Sequence, residues 1–301
     1  MNELKRGAAE MTAAMMISGT IGWFVVQSHQ PVMDVVFWRC VFGAATLLVV
    51  CAALGLLRRD ILRWRVAGLA ALGGIAIVAN WLLLFAAYSR ATISIATAVY
   101  NTQPFMLLGL GALFFGERIT ITKLTWLGLA FAGTLLVVEA RPGDGGTDYL
   151  MGIGLALGAA FFYALAAAVT KRLKGTPPHL IALIQVTVGI LAMAPFAHLT
   201  TLPSGAATWG LLAAVGIVHT GLVYILLYGA IQKLPTNLTG ALSFIYPIVA
   251  IAVDYAAFGH RLQITQLAGA GFILLAAAGM TLGWAPWPWR RSEQVAVNDK
   301  A

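Results

Sequence analysis

The chain has 301 residues, of which 60% are hydrophobic and only 10% charged, with a formal net charge of +8. Soluble domains carry roughly 25% charged residues, so this composition excludes a sizeable soluble domain, and a mean hydropathy of +0.86 says the same. The positive balance is not a nucleic-acid signature, because the basic residues sit in short gaps between apolar runs, which is how membrane proteins set their orientation.

A helix needs about 20 apolar residues to cross hydrocarbon. The first such run lies near 8–27. Lys5 and Arg6 precede it as in a signal peptide, but no small-residue cleavage site with a polar mature start follows, so a retained helix is expected. The next runs fall near 34–57, 65–88, 92–115 and 121–139. The 34–57 run holds both cysteines, Cys40 and Cys51. Eleven residues of helix separate them by roughly 16 Å, too far for a disulfide. A turn-forming stretch, Pro142-Gly143-Asp144-Gly145-Gly146, closes this group of five. Five more runs lie near 149–170, 179–200, 206–231, 237–258 and 263–284, and the polar tail at 290–301 is expected to be disordered. In the sixth run Gly154 and Gly158 have the small-xxx-small spacing of helix packing. The expected fold class is an all-α integral membrane protein of ten transmembrane helices.

Of the nineteen lysines and arginines, only Arg39, Arg90, Arg141 and Arg261 fall on the side opposite the amino terminus, leaving fifteen on the near side. The positive-inside rule then places both termini in the cytoplasm.

The two groups of five repeat at an offset of 143: Pro104 matches Pro247, Gly116 matches Gly259, Arg118 matches Arg261, Thr122 matches Thr265 and Gly128 matches Gly271. Trp81 meets Tyr224 and Phe85 meets Tyr228 in the same register. Five spans is an odd number, so the second unit enters the membrane upside down. The expected domains are residues 1–140 and 141–289, an inverted repeat of the kind that binds substrate near the midplane between its halves.

Pro104 and Pro247 are expected near the centres of the fourth and ninth helices, where each frees a carbonyl four residues earlier and makes a hinge. Polar and aromatic residues gather at similar depth. Asn80, Trp81, Tyr100, Asn101, Gln103, Tyr163, His219, Tyr224 and Tyr246 are the candidate substrate-binding set. Uncharged polar groups in a membrane face the interior, and an amphipathic cavity of this kind suits a small zwitterion with an apolar side chain. Hydrogen bonding between helices is the plainer role for any one of them. Asp254 and His219 are candidate coupling groups. There is no phosphate-binding loop, no H-E-x-x-H motif, no nucleophile elbow and no zinc spacing, so neither an enzyme nor a cofactor or metal is expected.

Arg39 early in the second helix, together with the paired proline-to-Gly-x-Arg segments (Gly116-Glu117-Arg118 and Gly259-His260-Arg261), resembles the drug/metabolite transporter superfamily. Within it the chain is similar to the EamA-type exporters and their aromatic amino-acid members. The stretches Val99–Pro104 and Phe161–Ala164 match their cavity segments, with Gln103 and Tyr163 where those exporters carry tryptophan. The resemblance implies a monomeric exporter of amino acids in the bacterial inner membrane, with no nucleic-acid partner and a range broader or more polar than aromatics alone. Efflux of drugs or other metabolites stays open as an alternative, and an intramembrane enzyme as a distant one.

Overall fold

The computed structural model describes residues 2–58, 63–88, 90–91, 96, 99–137, 146–200, 202–258 and 263–284, with backbone alone at 26, 85, 88, 251, 254 and 258. The expected turn at 142–145, the 259–261 segment, the tail and the Asp254 side chain lie outside the described residues. The elements are α1 Glu3–Gly19, α2 Ile21–Ser28, α3 Val32–Ala53, α4 Trp64–Tyr88, α5 Gln103–Phe115, α6 Ile121–Val137, α7 Thr147–Arg172, α8 Pro178–Met193 and α9 Ala206–Gly216. A π turn Ile217–Leu222, α10 Val223–Lys233, α11 Thr236–Ser243, α12 Ile245–Phe258 and α13 Ile264–Leu282 complete the chain. No strand occurs among the described residues. Six stretches are long and apolar enough to cross a membrane, and α5, α6 and α8 are shorter apolar helices.

Among the described residues four of the expected runs are interrupted, one of them, the 92–115 run, at the turn residues Asn101 and Thr102. The first breaks at Thr20 between α1 and α2, the eighth carries the π turn, and the ninth breaks at Phe244 between α11 and α12. A broken turn frees backbone groups that hydrocarbon cannot satisfy. Here hydroxyls of the chain answer them. Thr20 Oγ1 donates to the Ile17 carbonyl (2.8 Å), Thr102 Oγ1 to that of Val99 (2.7 Å), Thr220 Oγ1 to that of Val215 (3.1 Å) and Ser243 Oγ to that of Gly240 (2.7 Å). Pro247 sits near the centre of the span Thr236–Ala257, as expected, in the first turn of α12 after the Phe244 break, and Pro104 lies in the first turn of α5. A first-turn proline gives up an N–H that has no partner in the helix anyway. The breaks themselves lie just upstream, at the turn residues Asn101 and Thr102 and at Phe244, in keeping with the bias against helix before proline.

Lipid tails are as apolar as leucine, so helices in a bilayer associate through close packing. The closest pair is built that way. Gly152, Ala156, Ala160 and Ala164 recur every four residues on the buried face of α7, and α7 packs along α4. The Gly154 of the expected Gly154–Gly158 stripe is instead exposed, with open space around it. Other pairs are α1 with α10, α4 with α8, α3 with α9 and the π turn, α5 with α7, α12 with α1, α3 with α8, and α6 with α13. Moving each residue along by the 143-residue offset maps this set onto itself. The close approaches do the same. A Cβ on Gly73 would sit 2.5 Å from Gln185 Nε2, and one on Gly216 would sit 2.3 Å from the Phe42 Cβ. Gly279 meets Trp126 at 2.5 Å as Gly269 meets the Leu136 Cβ at 2.9 Å.

Where α6 crosses α13 the backbones touch. A Cβ on Gly133 would lie 2.6 Å from the Gly269 carbonyl oxygen, and one on Gly269 would lie 2.5 Å from that of Gly133. Gly109, on the exposed face of α5, has nothing within 4 Å. Gly133→Leu is therefore expected to lower stability by roughly 1–3 kcal/mol, read as a fall of several degrees in the melting of purified protein. Gly109→Leu is expected to leave it unchanged, and equal melting of the two variants would refute this account of the crossing.

Candidate functional site

The interior holds a ladder of parallel rings. Trp81 on α4 stacks on Tyr224 of α10 with centroids 6.4 Å apart and planes at 10°. Tyr224 and Tyr228 are four residues apart on one helix face and stack at 5.1 Å and 14°. At one end the Arg39 guanidinium lies over Trp81, 4.4 Å from the ring centroid. At the other the Tyr228 hydroxyl donates to Gln185 Oε1 on α8. Gln185 fits there because Gly73 leaves its amide room.

Beside the ladder stands Tyr163 of α7, edge-on to Tyr100 at 6.2 Å. Asn80 ties this corner together, its Nδ2 donating to the Tyr100 hydroxyl (3.2 Å) and the Ala159 carbonyl (2.8 Å). Tyr163 separates two gaps. One is walled by Gln103, Pro104, Thr239 and Ser243 and the other by Ile77, Tyr224, Tyr228 and Ile231. Each has room for no more than about one water, well short of the roughly 300–1,000 Å³ of a ligand pocket. One polar atom at the gap walls is buried with no protein partner among the described residues, the acceptor Gln103 Oε1, and the donor Gln185 Nε2 at the far end of the ladder is another. A buried polar atom without a partner costs about 1–3 kcal/mol, and a bound molecule would relieve that.

The structure gathers most of the expected set. Asn80, Trp81, Tyr100, Gln103, Tyr163 and Tyr224 meet around the gaps, with buried Asn101 in the turn before α5. His219 and Tyr246 are elsewhere. His219 sits in the π turn, with Nε2 2.8 Å from Thr20 Oγ1, Nδ1 3.4 Å from the Ala214 carbonyl and its ring against Phe24. Tyr246 packs at the core margin and turns its carbonyl toward Gly19. Gln185 and Tyr228 are expected from the sequence among the polar and aromatic residues at this depth, though outside the binding set, and they close the far end of the ladder. A lone glutamine in an apolar helix is the one signal that pointed to Gln185.

Two ion pairs on the lysine-rich face were not foreseen. Lys171 Nζ donates to Glu117 Oε1 (2.5 Å) and to the Leu234 carbonyl (3.2 Å), and Thr236 donates to the same carboxylate through its N–H (3.2 Å) and its hydroxyl. Lys233 Nζ reaches Glu10 Oε2 at 2.5 Å, and Arg6 holds the other oxygen at 2.9 Å. Each joins an early element to a late one. On the opposite face Asp34 accepts from the His198 backbone N–H (2.8 Å) and lies 3.1 Å from its Nδ1. Among the described residues, no group of three or more potential ligands could hold a metal.

The model of the EamA-like transporter family matches residues 6–139 and again residues 150–282. An uncharacterized transporter, YxxF, of Bacillus subtilis is 29% identical over 91% of this chain and 88% of its own length. An uncharacterized transporter of Archaeoglobus fulgidus is 25% identical over 93% of this chain and 97% of its own. A probable amino-acid metabolite efflux pump of Salmonella typhimurium is 26% identical over 67% of this chain and 71% of its own. A crystal structure superposes with a TM-score of 0.79 at 20% identity, covering 92% of this chain and 96% of that one, which shows the fold.

Burial of Glu117 pushes its pKa up, but the hydrogen bonds from Lys171 and Thr236 and the Lys171 charge outweigh this and hold it below its ordinary 4.5. A carboxylate whose folded pKa is depressed adds stability above its unfolded pKa and loses it as pH falls through the folded one. The melting difference between wild type and Glu117→Gln is therefore expected to stay constant at pH 6–8 and to shrink only below about pH 4.5. A difference that shrinks instead between pH 8 and 6 would contradict this assignment.

Proposed function

The chain belongs to the EamA-like transporter family, and on that premise we propose that it exports amino acids by alternating access between two inverted five-helix halves. It is a multi-pass membrane transporter. In this reading the halves are residues 1–140 and 141–289, ten spans in all, with both termini cytoplasmic in a bacterial inner membrane and the monomer as the working unit. The twofold match of the family model supports the division. So does the exchange of helix contacts under the 143-residue offset.

The observation that carries the proposal is the Trp81–Tyr224 stack. These are equivalent positions of the two halves, and they touch beside the second gap, which Tyr224 walls, where an inverted repeat would place its substrate. Rocking the halves about this contact opens the gaps to one face at a time. Opening toward the lysine-rich face breaks the Glu117–Lys171 and Glu10–Lys233 pairs. Opening toward the other face breaks Asp34–His198 and Thr20–His219. The helix breaks before Pro104 and Pro247 serve as hinges. His219, set between Thr20 and the π turn, and Asp254 are the candidate coupling groups. Amino acids as cargo draw support from the relatives named as probable amino-acid metabolite efflux pumps and from the amphipathic walls of the gaps.

Counterflow into proteoliposomes tests this. Phenylalanine, threonine and methionine are expected to exchange above empty liposomes. Tyr163→Ala is expected to lower the flux about tenfold, equivalent to about 1.4 kcal/mol, and Gln103→Trp to narrow the range toward aromatic substrates. Folded protein that carries none of them would overturn the amino-acid reading and leave efflux of drugs or other metabolites.

A further inference from the structure

Arg39 is a buried cation with neutral company. It is 7% exposed and lies seven residues into α3, about 10 Å from the helix start. Its Nε donates to Thr220 Oγ1 at 3.2 Å, and its guanidinium lies on the Trp81 face. Among the described residues no carboxylate lies within ion-pair reach of it. The carboxylates inside the fold behave differently: Glu10, Asp34 and Glu117 each have a cationic or histidine partner. An ionised group held in a membrane protein without a counter-charge is expensive, and such groups mark sites of function.

The chain's own symmetry argues against a packing role. The repeat equivalent of Arg39 is Ala182 on α8, and that residue is fully buried. The second half therefore fills the same place with a methyl group. The charge belongs to one half only, at the Trp81 end of the ring ladder, whose tyrosines Tyr224 and Tyr228 wall the second gap. Guanidinium nitrogens beyond Nε form the fork that grips a carboxylate with two parallel hydrogen bonds. With Nε spent on Thr220, that fork has no protein partner among the described residues.

We propose that Arg39 anchors the carboxylate of the transported molecule, with the substrate's apolar part lying along Trp81 and Tyr224. The cargo is then a carboxylate-bearing compound, and the anion completes the ion pair that the protein leaves open. This rests on the transporter reading given above.

The test compares phenylalanine with phenylethylamine, which lacks the carboxylate, and with 3-phenylpropionate, which lacks the amine, in wild type, Arg39→Lys and Arg39→Gln. Wild type is expected to carry phenylalanine, to be inhibited by 3-phenylpropionate and to ignore phenylethylamine. Arg39→Gln is expected to lose roughly a hundredfold in phenylalanine flux, and Arg39→Lys about tenfold, since it keeps the charge and loses the fork. Wild type that carries phenylethylamine as well as phenylalanine overturns the proposal whether or not the variants fold. So does Arg39→Gln that matches wild type.

If no amino acid is carried, thermal stabilisation of purified wild type by a panel of aromatic and aliphatic carboxylates decides separately. Stabilisation lost in Arg39→Lys upholds the anchor while the amino-acid cargo falls. Folded wild type stabilised by no carboxylate overturns the anchor.

Discussion

Hydrocarbon offers no hydrogen bonds, and the arrangement of this molecule follows from that shortage. A helix may break in a bilayer only where protein supplies what the backbone loses. The breaks at Thr20, at Asn101 and Thr102, in the π turn and at Phe244 are each served by a threonine or serine hydroxyl. They also face one another. Thr20 meets His219 in the π turn, Thr220 meets Arg39, and Gly240 lies against Pro104. Polar side chains gather where the helices break, because the same dry interior that forbids a lone carbonyl elsewhere is hydrogen-bonded here. The candidate site is a by-product of solving the backbone's problem.

Symmetry supplies the frame, and departures from it supply the chemistry. The helix contacts and the glycine approaches repeat at the offset of 143. Several charged and amide residues of the interior do not. Arg39 is matched by Ala182, Gln185 by Phe42 and Lys171 by Ser28. A duplicated scaffold keeps its backbone packing because a Cβ at Gly73 or Gly216 would collide in either half. Side chains facing the gaps have no such restriction and have diverged. The two ends of the molecule are consequently held by different contacts: ion pairs on the lysine-rich face and a histidine–carboxylate contact on the other.

Much of this was legible in the sequence and some was not, for physical reasons. Apolar runs, turn residues and the repeat are local or periodic, so they appear in a single chain. Most of the expected binding residues met because polar groups at one membrane depth have few places to go. The break at Thr20 and the π turn at 217–222 leave no mark in hydropathy, since neither changes which residues are apolar. The Glu117–Lys171 pair spans 54 positions, a separation at which loop residues show nothing of their partners. Arg39 was visible as a charge near a helix end. That it rests on Trp81 without a counter-ion is a fact of tertiary structure.

The crossing of α6 and α13 deserves a mechanical reading. At Gly133 and Gly269 each helix presents bare backbone to the other's carbonyl oxygen. Interfaces between large side chains lock, because a knob must leave its hole and change rotamer before the helices can turn. At the crossing itself no side chain stands between the axes, and the interlocking is left to the Trp126 ring seated against Gly279 to one side of it. Bulk added at either glycine would push the two axes apart and lever that ring out of its seat.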